Sequence, residues 1–313
     1  MSSVLWLIAM VAGTAAIVWG AERFAEHLAD ASKRLGVTAF ALAILLAGAE
    51  PEELATVVTA SVRDVGGVAF GDVIGANAAI VTVALGVGAW MVTIPFGRSI
   101  QRYAFGGLGT GILATALMWD GALRRVEGAI LVVAYVVFVA AIWLSERMPP
   151  SLGEAGELDE AADPEGRIGS DLAWMLAGLV ALTLGSMVLV EGVRRLTDIE
   201  SNQTRLGLTV VGFATAFELV VLAFSASRHG VIEAVIAGVI GSYAYNMTMS
   251  VGVGALVAPI SITDASLLHA PLVVMLALLA VAIALGVPRG SLGRRDAGAL
   301  FAGYPVFVLV AFW

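Results

Sequence analysis

Leu45-Leu46-Ala47-Gly48-Ala49-Glu50-Pro51-Glu52-Glu53-Leu54-Ala55-Thr56 places three carboxylates and a proline halfway along an otherwise apolar run. Burying an ionised side chain at a membrane-helix centre costs about 2.5–3.5 kcal/mol even on the lenient insertion scale. No Lys or Arg occurs between Arg34 and Arg63, so the run supplies no cation of its own. The acids must be protonated, hydrated, or paired with an ion from solution. Pro51 removes a backbone donor and its ring clashes with the preceding turn, which predicts a break or kink near residues 47–51. Carbonyls freed there would serve as hard oxygen ligands beside the carboxylates. Glu50 and Glu53 stand three apart and share a helix face, whereas Glu52 is expected to point elsewhere. Glu53 is therefore the first candidate ligand and Glu50 the second. Glu52 stays open between a solvated or capping carboxylate and a functional one.

Composition explains why such a run lies in a membrane. The 313 residues are 59% hydrophobic and 13% charged, against roughly 25% charged in ordinary soluble domains. A soluble fold is excluded. Val4 to Val18 lacks a basic leader and is followed by many equally apolar runs, so it reads as the first membrane helix rather than a signal peptide. There is no cysteine, which removes disulfides, thiolate metal sites and Cys nucleophiles. His27, His229 and His269 all fall near span ends, leaving no cluster for a metallohydrolase. Asp72 also lies near a span end and is expected at the interface, without the facing Asp of an aspartyl intramembrane protease. The chain is read as no enzyme and as needing no cofactor.

Spans of about 20 residues fall at 4–20, 38–62, 68–94, 102–119, 127–145, 171–191, 205–227, 233–259, 266–287 and 297–313. The expected fold is all-α integral membrane with ten transmembrane helices. With the N-terminus outside, the outer loops hold Arg63, Arg124, Arg125, Arg194, Arg195 and Arg205, leaving eleven of the 17 basic residues in the cytoplasm. The positive-inside rule thus favours both termini outside a plasma membrane. Much of the net charge of -8 sits between Glu154 and Glu165, a hydrated linker by its like-charge character. The chain divides into a first five-helix repeat at 1–145, an acidic cytoplasmic linker at 146–170 and a second five-helix repeat at 171–313.

The halves echo one another. Arg34-Leu35-Gly36-Val37-Thr38 is matched by Arg205-Leu206-Gly207-Leu208-Thr209, and Gly71-Asp72-Val73-Ile74-Gly75-Ala76 by Ala237-Gly238-Val239-Ile240-Gly241-Ser242. An odd number of spans per half sends the second copy in from the opposite side. That is an inverted repeat, the plan of many secondary transporters, with the substrate site at the midplane. Glu218 sits at the matching depth in Phe213-Ala214-Thr215-Ala216-Phe217-Glu218-Leu219, and no Lys or Arg occurs between Arg205 and Arg228. Neutral oxygens come from Asn77 in the third span and from Ser242 and Asn246, four apart on one face of the eighth.

At these segments the chain resembles the calcium/cation antiporter superfamily, which includes the sodium/calcium and proton/calcium exchangers. That family carries two inverted repeats, each with a G-T-S-x-P-E-like stretch followed by a G-S-N-like stretch. Here the first repeat aligns as Gly48-Ala49-Glu50-Pro51-Glu52-Glu53 with Gly75-Ala76-Asn77, and the second as Phe213 to Glu218 with Gly241-Ser242-Tyr243. The resemblance implies that Glu53 and Glu218 are paired central ligands, with Thr215 at a family hydroxyl position. It also implies that the first and sixth spans slide across the other eight. The chain departs from the pattern at Ala49 and Glu50, at the displaced Pro51, at Phe217, and at Ile80, where the family places a ligand Asn or Asp. The site is therefore expected to be lopsided, with more acid and fewer neutral oxygens on the first-half side.

The leading expectation is a secondary cation antiporter that exchanges calcium or a similar cation for sodium or protons. The alternative is a proton-coupled carrier of another small solute, with Phe217, Tyr243 and Tyr245 lining a roomier cavity. The expected partners are the lipid bilayer and inorganic cations, with no nucleic acid and no obligate protein partner.

Overall fold

The computed structural model describes residues 3–34, 50–146, 168–229 and 232–313. The segment 35–49, with the first half of the predicted second span, and most of the acidic linker lie outside these residues. What is described is almost entirely helical. The chain opens with α1 (Ser3–Arg34), then α2 (Pro51–Val62) and α3 (Gly66–Ala79), which runs through a π-helical turn at Ile80–Ala84 into α4 (Leu85–Met91). A two-residue strand β1 (Ile94–Pro95) precedes α5 (Arg98–Met118), and β2 (Ala122–Leu123) precedes α6 (Arg125–Glu146). After the linker come α7 (Ile168–Leu196) and α8 (Glu200–Leu206), which continues through a π turn at Gly207–Val211 into α9 (Gly212–His229). The order closes with α10 (Ile232–Tyr245), a π turn at Asn246–Ser250, α11 (Val251–Val257), β3 (Ile260–Ser261), α12 (Ser266–Arg289), β4 (Ser291–Leu292) and α13 (Arg294–Phe312).

Seven of the described helical runs are long and apolar enough to cross a membrane. Exposure is inverted relative to a soluble protein. Val11 is 72% exposed and Leu144 78%, while Glu53, Asp72 and Asn246 are all at 0%. Apolar side chains coat the outside and acids sit inside, an arrangement that only a hydrocarbon solvent favours.

Two stretches of the chain follow one plan. Each reads as a helix of 14 residues, a π turn of 5 and a helix of 7. The starts, Gly66 and Ile232, Ile80 and Asn246, Leu85 and Val251, are separated by the same 166 positions in each case. The strands cross-pair. Ile94 and Pro95 face Leu292 and Ser291, as Ile260 and Ser261 face Leu123 and Ala122. The turns leading into β2 and β4 require the left-handed backbone that glycine adopts freely, at Gly121 (φ 76) and Gly290 (φ 65). Their carbonyls accept from Ile262 at 2.9 Å and Phe96 at 2.7 Å.

Close backbone approach accounts for much of the helix packing. α1 and α7 cross antiparallel, Gly13 against Gly185 and Gly20 against Gly178. α3 runs parallel to the α8–α9 rod. Added Cβ atoms at Gly71 and Gly75 would come within 2.7 Å and 2.2 Å of the Leu208 backbone, and one at Gly212 within 2.6 Å of the Asp72 carbonyl. This contact leaves no room for side chains between the two rods, and it brings neighbouring residues on their flanks together.

At one end of α2 an ion-pair cluster ties it to α7. Glu191 accepts from Arg63 at 2.9 Å and from Arg195 at 2.7 Å, with Arg194 at 3.6 Å. Glu191→Gln should lower thermal stability by about 0.5–1 kcal/mol at low salt, since partly exposed pairs are worth little more. The loss should shrink as salt screens the exposed guanidinium groups. Thermal unfolding of the detergent-solubilised protein at two ionic strengths checks this. An equal loss at both would mean that the cluster acts through packing rather than charge.

Candidate functional site

The site grows from the start of α2. Glu50 is the N-cap and Pro51 occupies the first helical position, where a missing N–H costs nothing and φ is already set. The break predicted near residues 47–51 thus has its described edge here. Glu52 and Glu53 follow in the first turn, where the helix dipole favours negative charge. All three acids are buried: Glu50 is 3% exposed, Glu52 2% and Glu53 0%. One oxygen from each lies within 4.8 Å of the others. The expectation that Glu52 points away from Glu50 and Glu53 is therefore corrected. The cap residue bends away from helical geometry, and the three carboxyl groups gather instead of fanning out.

At 4.8 Å, two unit negative charges repel by about 3–4 kcal/mol at an effective dielectric near 20. Three such pairs cannot all be ionised together without a counter-charge. Glu50 accepts a short hydrogen bond from the Ser242 hydroxyl of α10. Both carboxylate oxygens of Glu53 are buried with no hydrogen-bond partner among the described residues. A carboxylate in that condition is costly unless a proton or a cation occupies it.

Of the neutral donors, Ser242 touches this cluster directly, through Glu50. Ser242, Asn246 and Asn77 are all at 0% exposure. The Asn246 amide donates to Asn77 Oδ1 at 3.4 Å, and the Asn77 amide donates to the Tyr243 carbonyl at 3.4 Å. α3 thus meets the π turn that follows α10 through polar side chains, and α10 itself through a backbone carbonyl. Thr215 of α9 is 1% exposed and donates to Asp72 Oδ1 at 2.9 Å. Glu218, one turn further along α9, is half-buried and stands outside the compact acidic cluster.

Three features go beyond the expectations from sequence, the second of them at a residue expected only as a cavity lining. Asp72, expected at the interface, is fully buried in α3 and lies within electrostatic reach of Glu53. Its signal was present, because it falls one helical turn before Ala76 on the stripe that carries the motif. Tyr245 is 4% exposed, within electrostatic reach of all three acids, and meets Tyr135 edge-on at 5.4 Å. Thr56 and Ser186 face each other at 3.4 Å between α2 and α7. Of the aromatics expected to line a roomier cavity, Phe217 is 48% exposed on the outer surface and Tyr243 is fully buried.

The model of the sodium/calcium exchanger protein family matches residues 5–144 and 170–313. The putative antiporter CaxA of Alkalimonas amylolytica is 24% identical over 295 residues, covering 92% of this chain and 91% of that protein. The sodium/calcium exchanger MaX1 of Methanosarcina acetivorans is 22% identical over the full length of both. Among solved structures, the H+/Ca2+ exchanger CAX superposes with a TM-score of 0.72 at 17% identity, covering 99% of this chain and 82% of that one. The sodium-calcium exchanger NCX_Mj superposes with a TM-score of 0.62 at 18% identity, over 98% and 99% of the two chains.

Proposed function

The chain belongs to the sodium/calcium exchanger protein family, and we propose that it is a secondary cation antiporter exchanging calcium or a similar cation for sodium or protons by alternating access. One observation carries this reading: Glu53 presents two buried carboxylate oxygens that no donor among the described residues satisfies, beside Glu50 and Glu52 in the interior of an apolar-coated helical molecule. Such a group binds either protons or a hard cation, and the exclusion of one by the other is the chemical basis of antiport. Glu53 and Glu50 serve as carboxylate ligands, with Ser242, Asn246, Asn77 and Thr215 as neutral oxygens. Glu218 joins them from α9 in a second conformation of the site. The cation is cargo, and no resident cofactor is required.

The architecture we favour is ten transmembrane helices in two inverted five-helix repeats, 1–145 and 171–313, joined by the acidic linker 146–170. The constant offset of 166 residues between the matched stretches supports it, as do the reciprocal strand pairs. Gly13 and Gly178 are 165 apart in sequence, as are Gly20 and Gly185, and each glycine of α1 meets the other's counterpart on α7. A two-fold axis in the membrane plane produces that pattern. The α1–α7 pair is the natural moving element, with both termini outside a plasma membrane.

Proteoliposomes loaded with sodium or with acid and diluted into labelled calcium test the proposal. Calcium uptake should follow the outward sodium or proton gradient and stop when the gradient is collapsed. If no ion among calcium, manganese, sodium and potassium moves in exchange, the antiporter reading fails and the proton-coupled solute carrier replaces it.

A further inference from the structure

Asp72 is a fully buried acid that the cluster at the start of α2 does not account for. It sits on α3 at 0% exposure, and its Oδ2 is buried with no hydrogen-bond partner among the described residues. Its Oδ1 receives the Thr215 hydroxyl at 2.9 Å. A neutral hydroxyl is thin compensation for a carboxylate removed from water. No basic side chain among the described residues pairs with it.

We propose that Asp72 is a further carboxylate ligand for the transported cation, closing the site between Glu53 on one side and Thr215 on the other. The inference rests on the antiporter reading and deepens it.

First, Asp72, Ala76 and Ile80 form an i, i+4 series along the helix. The two later positions offer no side-chain oxygen, so the first half has lost neutral ligands on the stripe where Asp72 adds an acidic one. Second, helix packing does not need the acid. The residue 166 positions on, at the same place in the matching helix α10, is Gly238, also buried. Third, the Thr215 hydroxyl has one hydrogen and two lone pairs. The Asp72 oxygen at 2.9 Å is the nearest acceptor for that hydrogen, ahead of the Val211 and Gly212 carbonyls at 3.2 and 3.3 Å. With its hydrogen held there, Thr215 keeps its lone pairs for a cation. The resulting donor set, carboxylates with hydroxyl and amide oxygens, suits a hard cation such as calcium, manganese or sodium.

The test is equilibrium binding of calcium and of manganese to the full chain in lipid nanodiscs, with sodium as competitor. Asp72→Asn keeps the size of the side chain and still accepts from Thr215. Calcium affinity should weaken by about tenfold or more, and Thr215→Val should weaken it as well. Wild-type calcium affinity in Asp72→Asn, alongside a clear loss in Glu53→Gln, would overturn the role of Asp72 and leave the antiporter reading standing. Wild-type affinity in both variants, or no binding of any of the three ions to the unaltered chain, would overturn both. Should Asp72→Asn fail to fold, Asp72→Glu keeps the charge and lengthens the arm. A ligand in that position must change the ratio of calcium to manganese affinity, and an unchanged ratio overturns the proposal.

Discussion

Glu53→Gln should insert and fold as the parent chain does, yet reduce gradient-driven calcium flux in proteoliposomes to the level of empty vesicles. The substitution removes one negative charge and two acceptor positions from a site at 0% exposure. It leaves an amide of the same size, so packing is unchanged. The attraction lost between a carboxylate and each unit of cation charge about 4 Å away is about 4 kcal/mol at an effective dielectric near 20. Binding should therefore weaken at least about a hundredfold. Because the empty site is crowded with acid, Glu53→Gln should also raise thermal stability in the absence of cations. A variant that transports normally would remove the central carboxylate from the mechanism.

The second large effect is steric. At Gly75 the first atom of any side chain would lie 2.2 Å from the Leu208 carbonyl oxygen and 2.7 Å from its carbon. Both are backbone atoms in the π turn of the opposing rod and cannot swing away. On the other rod Gly212 is as tightly held, 2.5 Å from the Ala76 nitrogen. Gly75→Val must push α3 off the α8–α9 rod, at a cost of about 1–3 kcal/mol or more for overpacking. The same displacement pulls Asp72 away from Thr215. Both the unfolding midpoint in detergent and the transport rate should fall. Gly109→Val is the control, since nothing lies within 4 Å of a Cβ there. Equal behaviour of the two variants would mean that the rods are not in contact as described.

The sequence carried the acidic run at residues 50–53 because three carboxylates in an apolar span are improbable without a purpose, and the structure buries all three. Ser242, Asn246 and Asn77, read as neutral oxygens in apolar spans, are likewise buried, as is Thr215, which only the family resemblance brought forward. The sequence did not carry the depth of Asp72. A hydropathy walk placed the residue near a span end, whereas α3 starts at Gly66 and is buried along its whole length. Nor did it carry the gathering of Glu52 with Glu50 and Glu53, because helical spacing does not apply to a cap residue. The π turns at Ile80–Ala84 and Asn246–Ser250 were also invisible. No sequence signal distinguishes a π turn from the α-helix around it, and such turns concentrate at functional sites.

The two small ribbons have a consequence for how the chain is made. Among the described residues β1 pairs with β4 and β2 with β3, so each strand of the earlier half awaits a mate synthesised well over a hundred residues later. The glycine face of α3 likewise stays bare until residues 204–212 have been threaded into the bilayer. The nascent first half therefore leaves the ribosome with open strand edges and an unfilled groove, and it matures by waiting. Truncated chains should be clients of membrane quality control rather than small stable proteins, and a pause in translation before α8 would prolong the most vulnerable moment of biogenesis.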